Sequence, residues 1–348
     1  MPRRVRIDDS GATPSVSVVV PSYNYGRYLP SAVASALDQP GVDVEVIIVD
    51  DASTDGESVD VARAVAASDA RVTLVEHEKN MRHIATYNDG IARATGDYLV
   101  LLSADDLLAP GSLSRSARLL QAEPSVGLVY GYAELLRGDA TAVGAATTQP
   151  DATWTVWSGA EWIKRMCRRG RNVIRNPEAI MRRDLINELG GYDPDLPLSA
   201  DMYMWLRAAA RADIGRVNGP VQAYYRIHDS NMHDVDFGGL LDDSREVLAT
   251  FDRFIVAEEA NLARPRALSR TARRQVAREV LRRSALLTGS EREHVTELRE
   301  FARNASPTDW VARLAYGPGM ERALLPLLRQ EAELQWKIRY HRELRWGT

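Results

Sequence analysis

Residues 98–106 read Tyr98-Leu-Val-Leu-Leu-Ser-Ala-Asp-Asp106, an apolar run that ends in two adjacent carboxylates. The run has the length of a buried strand, and the acidic pair follows directly where that strand would end. Carboxylates in this position are oxygen ligands suited to Mg²⁺ or Mn²⁺, and such an ion can offset the charge on a leaving diphosphate. The alternative is that Asp105 and Asp106 only cap a helix that begins near Leu107.

The chain on the N-terminal side of this stretch alternates strand and helix patterns. Strands are predicted over Val16–Val20, where Pro21 ends the run, Val44–Val49 and Arg71–Val75, and helices over Arg27–Leu37, Glu57–Ala67 and His83–Ala94. This order predicts an α/β fold with a doubly wound, mostly parallel sheet flanked by helices. Ligands of such sheets bind beyond the carboxyl ends of the strands, which selects the loops Pro21–Gly26, Asp50–Gly56 and Ser103–Asp106.

The chain on the C-terminal side changes character near Asp236. Before that point the patterns predict a helix to Arg169, a helix that ends at Gly190-Gly191, a helix over Asp201–Arg211 and a strand over Val221–Arg226. Beyond it, helical spacing runs through Leu240–Ala263, Ser269–Leu287 and Glu291–Asn304. We expect a domain over 1–235, made of one half at about 14–130 and a second half at about 150–235, and a helical subdomain over 236–348.

The first two loops carry groups that can bind a nucleotide. Tyr23 can stack on a nucleobase, although a partly buried packing role fits its position as well. The second loop holds three carboxylates and two hydroxyls, which cannot all be buried without partners. Ser53 and Asp55 are compatible with capping the next helix, whereas Asp50 and Asp51 directly follow an apolar strand and favour contacts with a base or ribose.

Composition limits the classes of partner. The 44 Lys and Arg residues against 48 Asp and Glu give a net charge of −4, which does not favour nucleic acid or an anionic membrane as the main partner. Cys167 is the single cysteine, so an intrachain disulfide is impossible and a reducing compartment is expected. Residues 1–10 lack the apolar core of a signal peptide, and no apolar run is long enough to span a bilayer. A cytoplasmic protein is expected.

Four segments in this order resemble the motifs of family 2 glycosyltransferases. They are Pro21-Ser-Tyr-Asn, Val49-Asp-Asp-Ala-Ser-Thr-Asp, Asn80 with Asn88-Asp-Gly-Ile and Ala94-Thr-Gly-Asp-Tyr, and Leu102-Ser-Ala-Asp-Asp-Leu. The resemblance covers about Val16–His228 and implies the GT-A fold, an inverting transfer from a nucleotide-diphospho-sugar, and a divalent cation, Mn²⁺ or Mg²⁺. It implies that the donor is bound by Pro21, Tyr23, Asn24, Asp51, Ser53, Arg82, Ser103, Ala104, Asp105, Asp106 and Arg226.

Within that set, the resemblance implies that Tyr23 and Asp51 contact the base and ribose and that Asp105 binds the metal. Ser103 departs from the family pattern, since it stands where the usual motif has its first aspartate. A lower metal affinity is therefore expected, although a serine hydroxyl can still bond the ribose or a metal-bound water.

The segment from Gly190 to Arg207 resembles the acceptor-side motif of the same family, in which an acidic residue precedes an aromatic-rich helix. The resemblance implies that Asp201 is the catalytic base that removes the acceptor's proton, while a helix cap is the structural alternative. It also implies that Trp205, Tyr192 and Asp193 bind the acceptor.

The late segment Tyr224-Tyr-Arg-Ile-His228 resembles a motif whose basic residue and histidine approach the diphosphate or the metal. The planar fork of Arg226 matches phosphate oxygens, and an imidazole is a suitable metal ligand. His228 is therefore the second candidate metal ligand beside Asp105. Without the resemblance it would be an ordinary surface histidine.

These features predict a hexosyl or related transferase that makes a single addition to a hydroxyl acceptor from a UDP- or dTDP-sugar. A nucleotide-sugar oxidoreductase is disfavoured, because the first loop has a single glycine before its helix. The remaining alternative is a non-catalytic scaffold of the same fold that uses its helical tail for partners. In that tail Trp336, Tyr340 and Trp346 lie among basic residues, which predicts contact with the inner membrane surface, packing, or a homodimer.

Overall fold

A computed structural model describes residues 2–7, 11–138, 151–228, 239–287, 295–315, 326–331 and 333–334. The chain divides into two compact units, Met1–Gly159 with Ile174–Asp229, and Ala160–Val173 with Ser230–Thr348. The sequence places 160–173 in the first domain, whereas here this segment groups with the C-terminal helices. The expected domain limits stay a prediction. The aromatic tail segment Trp336–Trp346 lies outside the described residues, and so does its predicted contact.

The strands are β1 (Arg3–Val5), β2 (Ser15–Ser22), β3 (Asp43–Asp50), β4 (Val72–Glu76), β5 (Tyr98–Leu101), β6 (Leu107–Leu108), β7 (Val126–Tyr130), β8 (Ala133–Arg137), β9 (Thr153–Trp157), β10 (Ile180–Arg182), β11 (Asp213–Asn218) and β12 (Ala223–Ile227). The helices are α1 (Leu29–Leu37), α2 (Ser58–Ser68), α3 (His83–Arg93), α4 (Ser112–Ala122), α5 (Gly159–Arg169), α6 (Arg183–Leu189), α7 (Ala200–Arg211), α8 (Leu240–Ala257), α9 (Pro265–Ser284), α10 (Val295–Ala305) and α11 (Trp310–Ala315).

The first unit is built on a large mixed sheet with the strand order β1-β9-β11-β7-β10-β5-β2-β3-β4. Strands β5, β2, β3 and β4 are parallel neighbours, and β7 is parallel to β11. Strand β10 runs antiparallel to both β5 and β7, which makes the sheet mixed. The predicted α/β class, a mostly parallel mixed sheet with flanking helices, is confirmed. The predicted binding loops follow the carboxyl ends of β2, β3 and β5, which we call the carboxyl edge.

A second, small sheet has the order β6-β12-β8. Strand β12 pairs with β6 through Tyr224 and Leu107, one residue beyond the acidic pair of the third loop. This pairing brings the segment 224–228 beside Asp105 and Asp106, although more than a hundred residues separate them along the chain. The small sheet therefore supplies one wall of the candidate site.

Strand β2 does not stop at Pro21 as predicted, but continues to Ser22. Pro21 lies opposite Val49 of β3, while the pairing with β5 on the other side ends at Val19 and Leu101. Proline cannot donate to a ladder, so it is tolerated where one neighbouring strand has already ended.

Several elements carried no prediction, among them β6, α4, β7 and β8 between residues 107 and 137. These strands are short, and β8 pairs with β12, whose sequence lies far downstream. Such pairing is stabilised by non-local contacts that a local pattern does not contain. The helices of the C-terminal region exist as predicted but with other limits, because α8 ends at Ala257 and α9 begins at Pro265, a residue favoured in the first helical turn.

The second unit is helical and has its own core, made largely of alanine and leucine, including Ala277, Leu281 and Ala302. Arg278 binds Asp309 at two points, with Nε 2.8 Å and Nη2 2.9 Å from the carboxylate oxygens. Burial raises the pKa of the Cys167 thiol to about 12, so it stays protonated, as expected of a packing residue. In the described part of the chain, no helix is both long and apolar enough to cross a membrane.

Candidate active site

The first two loops of the carboxyl edge are joined through Asn24. Its backbone N–H donates to Ser53 Oγ at 2.9 Å, and its side-chain Oδ1 accepts the N–H of Thr54 at 2.7 Å. Asn24 and Ala52 have left-handed backbones with φ of 59° and 58°, a rare conformation outside glycine. The predicted donor residues Asn24 and Ser53 thus hold the two loops together, and their donor contacts stay a prediction.

Two predicted base-site residues of these loops differ in exposure. Tyr23 is 40% exposed, which leaves its ring open for stacking. Asp51 is 4% exposed and accepts two bonds at Oδ1, from His77 Nδ1 at 2.8 Å and from the Met81 N–H at 2.7 Å. Both carboxylate oxygens of the neighbouring Asp50 already accept hydrogen bonds, one from the N–H and one from the hydroxyl of Ser53. Asp51 is thus the carboxylate of the pair that retains an oxygen for a ligand.

The third loop is fixed by Arg226 of β12. The Arg226 N–H donates to Asp106 Oδ1 at 2.8 Å, and its Nε donates to the Asp105 carbonyl at 2.7 Å. Burial, and next the charge of Asp105, raises the pKa of Asp106 well above its usual range. Arg226 is 1% exposed, so its visible role is to position the acidic loop, and its predicted diphosphate contact remains untested.

Ser103 and Ala104 of this loop differ in their exposure to solvent. Ser103 is partly exposed, and no described residue bonds its hydroxyl. Ala104 is 1% exposed, and its methyl group belongs to the hydrophobic core. A donor can therefore meet Ala104 only through its backbone, and the predicted contact of the Ser103 hydroxyl stays a prediction.

The two candidate metal ligands lie side by side. His228 Nε2 is 3.1 Å from Asp105 Oδ2. The imidazole stacks on Tyr28 with ring centroids 5.3 Å apart, and meets the edge of Tyr25 at 5.7 Å. Burial, and next the charges of Asp105 and Asp106, raises the pKa of Tyr25, so this phenol stays protonated beside the acidic pair.

A carboxylate and an imidazole at this separation fit a manganese or magnesium ion, with donor phosphates and water as the remaining ligands. Among the described residues there is no group of three or more His, Cys, Asp or Glu that could hold a metal ion. Within the part of the chain that the structure describes, Asp105 and His228 form a pair of candidate ligands, and an ion held by such a pair would share its remaining positions with a phosphate substrate and water.

The acceptor side is organised by aromatic side chains below Asp201. Asp201 lies in the first turn of α7 and is partly exposed. Tyr192 packs edge-on against Tyr87 at 5.7 Å and against Trp205 at 6.4 Å. Tyr192 and Trp205 are 4% and 2% exposed, so they support the site from below and offer no exposed ring to an acceptor. Asp193 is partly exposed, and its acceptor contact stays a prediction.

Tyr87 of α3 is a site residue that the sequence does not reveal. Burial raises the pKa of its phenol, and the charges of Asp201, then Asp105 and Asp106, raise it further. The negative charges of the candidate base Asp201 and of the acidic pair Asp105 and Asp106 thus both favour the protonated form of the Tyr87 hydroxyl. The neighbouring Asn88-Asp-Gly motif was a signal that this helix turn matters, but it did not indicate Tyr87 itself.

Arg82 precedes α3 and has a left-handed backbone with φ of 68°. Its carbonyl accepts both the N–H and the hydroxyl of Thr86, at 3.2 and 3.0 Å, which fixes the first turn of the helix. The side chain is exposed, and no described residue bonds its guanidinium. The predicted contact of Arg82 with the donor stays a prediction.

The fold places the chain in a known structural class, the GT-A glycosyltransferases. The structure matches the TarS fragment 1–349 of S. aureus, solved with UDP-GlcNAc, with a TM-score of 0.59 and 16% identity over 91% of this chain and 88% of that one. It also matches the mannosyltransferase PcManGT of Pyrobaculum calidifontis, solved with GDP-Man and Mn²⁺, with a TM-score of 0.52 and 17% identity over 95% and 89% of the two chains.

Residues 17–183 match the model of glycosyl transferase family 2, so the chain carries a domain of this family. An uncharacterised glycosyltransferase of Nostoc sp., alr2836, is 27% identical over 229 residues, which cover 63% of this chain and 66% of the relative. The glycosyltransferase GlyG of Streptococcus pneumoniae is 34% identical over 122 residues, 34% of this chain and 40% of the relative. The chain thus spans less than two thirds of the length of these curated relatives.

Proposed function

We propose that this chain is an inverting glycosyltransferase that moves one sugar from a nucleotide diphosphate donor to a hydroxyl acceptor. The observation that carries the proposal is the pairing of Asp105 with His228, whose Oδ2 and Nε2 atoms lie 3.1 Å apart at the carboxyl edge, in the loop that Arg226 fixes. A transferase needs a base and diphosphate-binding groups on either side of one reacting carbon, and we assign these roles to Asp201 and to the Asp105–His228 pair. The match to the family model supports the same reaction class.

The donor nucleotide would lie along the carboxyl edge, with its base between Tyr23 and Asp51. A UDP- or dTDP-sugar is the proposed donor. Of the two solved proteins named above, the TarS fragment with UDP-GlcNAc has the higher TM-score, and the mannosyltransferase was solved with GDP-Man. Arg82 and the Ser103 hydroxyl are available to the sugar and the phosphates.

Asp105 Oδ2 and His228 Nε2 would hold a divalent cation, Mn²⁺ or Mg²⁺, together with the donor diphosphate. Such an ion supplies neutralisation of the charge that develops on the leaving diphosphate. Arg226 keeps the acidic loop in place through its bonds to Asp105 and Asp106, and Tyr25 and Tyr28 hold the imidazole.

Asp201 would accept the proton of the acceptor hydroxyl as the reaction proceeds. The acceptor oxygen forms a bond to the anomeric carbon from the face opposite the diphosphate, and the bond between that carbon and the diphosphate oxygen breaks. Its electron pair leaves with the nucleotide diphosphate, which inverts the configuration.

The proposal is tested by calorimetric binding of UDP, dTDP and GDP with and without Mn²⁺, and by nucleotide release from the corresponding sugars. Asp105→Ala should abolish the metal-dependent part of binding, whereas Asp60→Ala, which removes a highly exposed carboxylate on α2, should leave it intact. Asp201→Asn should lower turnover by roughly a hundredfold to ten-thousandfold with donor binding retained.

Asp195→Asn is the matched control for the base, because it neutralises an exposed carboxylate in the loop that leads to α7. Unchanged turnover in Asp201→Asn would exclude this residue as the base. Binding of no nucleotide by the wild type, with or without the ion, would favour a non-catalytic scaffold of the same fold.

A further inference from the structure

The inference concerns Asp51 and the side chains that hold it. Asp51 Oδ1 accepts bonds from His77 Nδ1 at 2.8 Å and from the Met81 N–H at 2.7 Å. No described residue bonds its second oxygen, Oδ2. Since Asp51 is 4% exposed, this is a nearly buried carboxylate with one oxygen fixed and one oxygen left to accept a hydrogen bond.

The imidazole of His77 is itself held on its far side. His77 Nε2 is 3.5 Å from Asp89 Oδ2, and Arg93 Nε donates to the same Asp89 oxygen at 3.1 Å. The His77 N–H donates to the Asp50 carbonyl at 2.9 Å, which ties its backbone to the end of β3. A row of side chains therefore runs from Arg93 through Asp89 and His77 to Asp51.

The short distance between α3 and the sheet makes this row possible. A Cβ added at Gly90 of α3 would overlap Val19 Cγ1 of β2 and lie 3.2 Å from Val49 Cγ2 of β3. Any larger residue would push the helix outward, and Asp89 would move away from His77. The row is thus a consequence of a close helix–sheet contact at one glycine.

A carboxylate is an acceptor only, so His77 Nδ1 carries the hydrogen in its bond to Asp51, and Nε2 carries the hydrogen in its longer contact with Asp89. With Oδ1 occupied, the orientation of the carboxylate is fixed and Oδ2 can accept one hydrogen bond from a ligand. Uracil, thymine and guanine each present a ring N–H in their neutral form, whereas cytosine and adenine present a bare ring nitrogen at that position. A fixed carboxylate oxygen accepts from the first group and repels the lone pair of the second.

We propose that His77 is a positioning residue that fixes Asp51 so that Oδ2 accepts a ring N–H of the donor's nucleobase, which restricts the donor to nucleotides with such a base. The proposal rests on the proposed function, since it needs a nucleotide at the carboxyl edge. His77 acts through Asp51 and does not touch the donor.

The test is calorimetric binding of two matched pairs of nucleotides, UDP with CDP and GDP with ADP, each with Mn²⁺. The wild type should bind UDP or GDP at least about tenfold more tightly than its partner, because the partner lacks the ring N–H. His77→Ala should weaken binding of the preferred nucleotide about tenfold and leave the weaker partner unchanged, so that discrimination within the pair is lost.

Two further variants at the same position identify the nitrogen that matters. His77→Asn places an amide near the former Nδ1 and should retain discrimination, whereas His77→Gln reaches the former Nε2 and should not. Glu78→Ala is the charge control, because this neighbouring carboxylate is exposed and should leave discrimination as in the wild type.

Retained discrimination in His77→Ala would overturn the proposal. An equal loss of affinity for all four nucleotides would also overturn it, since Asp51 would then bind the ribose, or His77 would only support the fold. A wild type that prefers UDP to CDP or GDP to ADP, with His77→Ala losing that preference and His77→Asn keeping it, would establish it. A wild type that binds no nucleotide would refute the proposed function and this inference with it.

Discussion

Two adjacent glycines allow a matched test of how the acceptor loop is held. Gly190 and Gly191 both have left-handed backbones, with φ of 76° and 79°. A Cβ at Gly190 would meet nothing within 4 Å, whereas a Cβ at Gly191 would lie 2.5 Å from Asn88 Oδ1. Alanine at either position therefore incurs the same backbone cost, about 1–2 kcal/mol, and only Gly191→Ala adds a steric conflict with Asn88.

The side chain that a Cβ at Gly191 would displace, Asn88, forms two hydrogen bonds with the backbone of Tyr192. Asn88 Nδ2 donates to the Tyr192 carbonyl at 2.8 Å, and Asn88 Oδ1 accepts the Tyr192 N–H at 2.8 Å. Each such bond contributes about 1 kcal/mol net, and a partner left buried without one costs about 1–3 kcal/mol. Gly191→Ala should thus lower the free energy of unfolding by about 2 kcal/mol more than Gly190→Ala. It should also lower turnover, because Tyr192 packs below the loop that leads to Asp201.

The assay is urea unfolding of both variants in the wild-type and the Asn88→Ala backgrounds, combined with nucleotide release from the donor. In the Asn88→Ala background the two glycine substitutions should cost the same, since the conflicting side chain is gone. Donor affinity should be unchanged in all variants. Equal costs of the two substitutions in the wild-type background would refute the reasoning, and so would a difference that survives the removal of Asn88.

Other parts of the molecule give three further predictions. Burial raises the pKa of Glu178 from 4.5 to about 7, so the folded state binds its proton more tightly and stability should fall as pH rises from about 4.5 to 7. Glu178→Gln should remove that fall, measured by thermal unfolding at pH 5 and pH 8, and a pH dependence equal to that of the wild type would contradict it. Arg278→Ala should destabilise the helical unit by about 2 kcal/mol, because it leaves the buried Asp309 unpaired, whereas Arg303→Ala, which removes an exposed pair 3.9 Å apart, should cost under about 1 kcal/mol. Gly90→Ala should weaken nucleotide binding together with stability, since it separates Asp89 from His77; normal binding in a destabilised variant would show that the row of side chains is dispensable.

The sequence predicts the elements whose own residues show an apolar run or helical spacing. Strands β2 to β5 and helices α1 to α3 have apolar runs or helical spacing of their own, so their order and the carboxyl edge follow from the sequence. The predicted strand ends too early, at Val20, because a proline is accepted at position 21 only where the neighbouring strand β5 has already ended, and the local sequence does not show where β5 ends. The small sheet was missed because β6 has two residues and its partner β12 is distant in sequence.

The candidate site divides in the same way. Asp51, Asp105, Asp201 and His228 carry titratable groups in motifs that the sequence displays, and the structure brings Asp105 and His228 to 3.1 Å. The sequence does not show which of these side chains already forms hydrogen bonds with a neighbouring residue. Arg226 is occupied by backbone carbonyls, and His77, which has no motif around it, binds Asp51.

Helix α3 explains how the two halves of the candidate site are kept in register. Successive residues of a helix point about 100° apart, so three neighbours in sequence face three different parts of the structure. Tyr87 lies in the field of Asp105 and Asp201, Asn88 binds the backbone of Tyr192, and Asp89 faces His77 behind Asp51. A displacement of this one helix would alter the nucleobase contact and the acceptor loop together. We therefore expect the Asn88-Asp-Gly sequence to connect the proposed donor and acceptor sites rather than to bind a substrate itself.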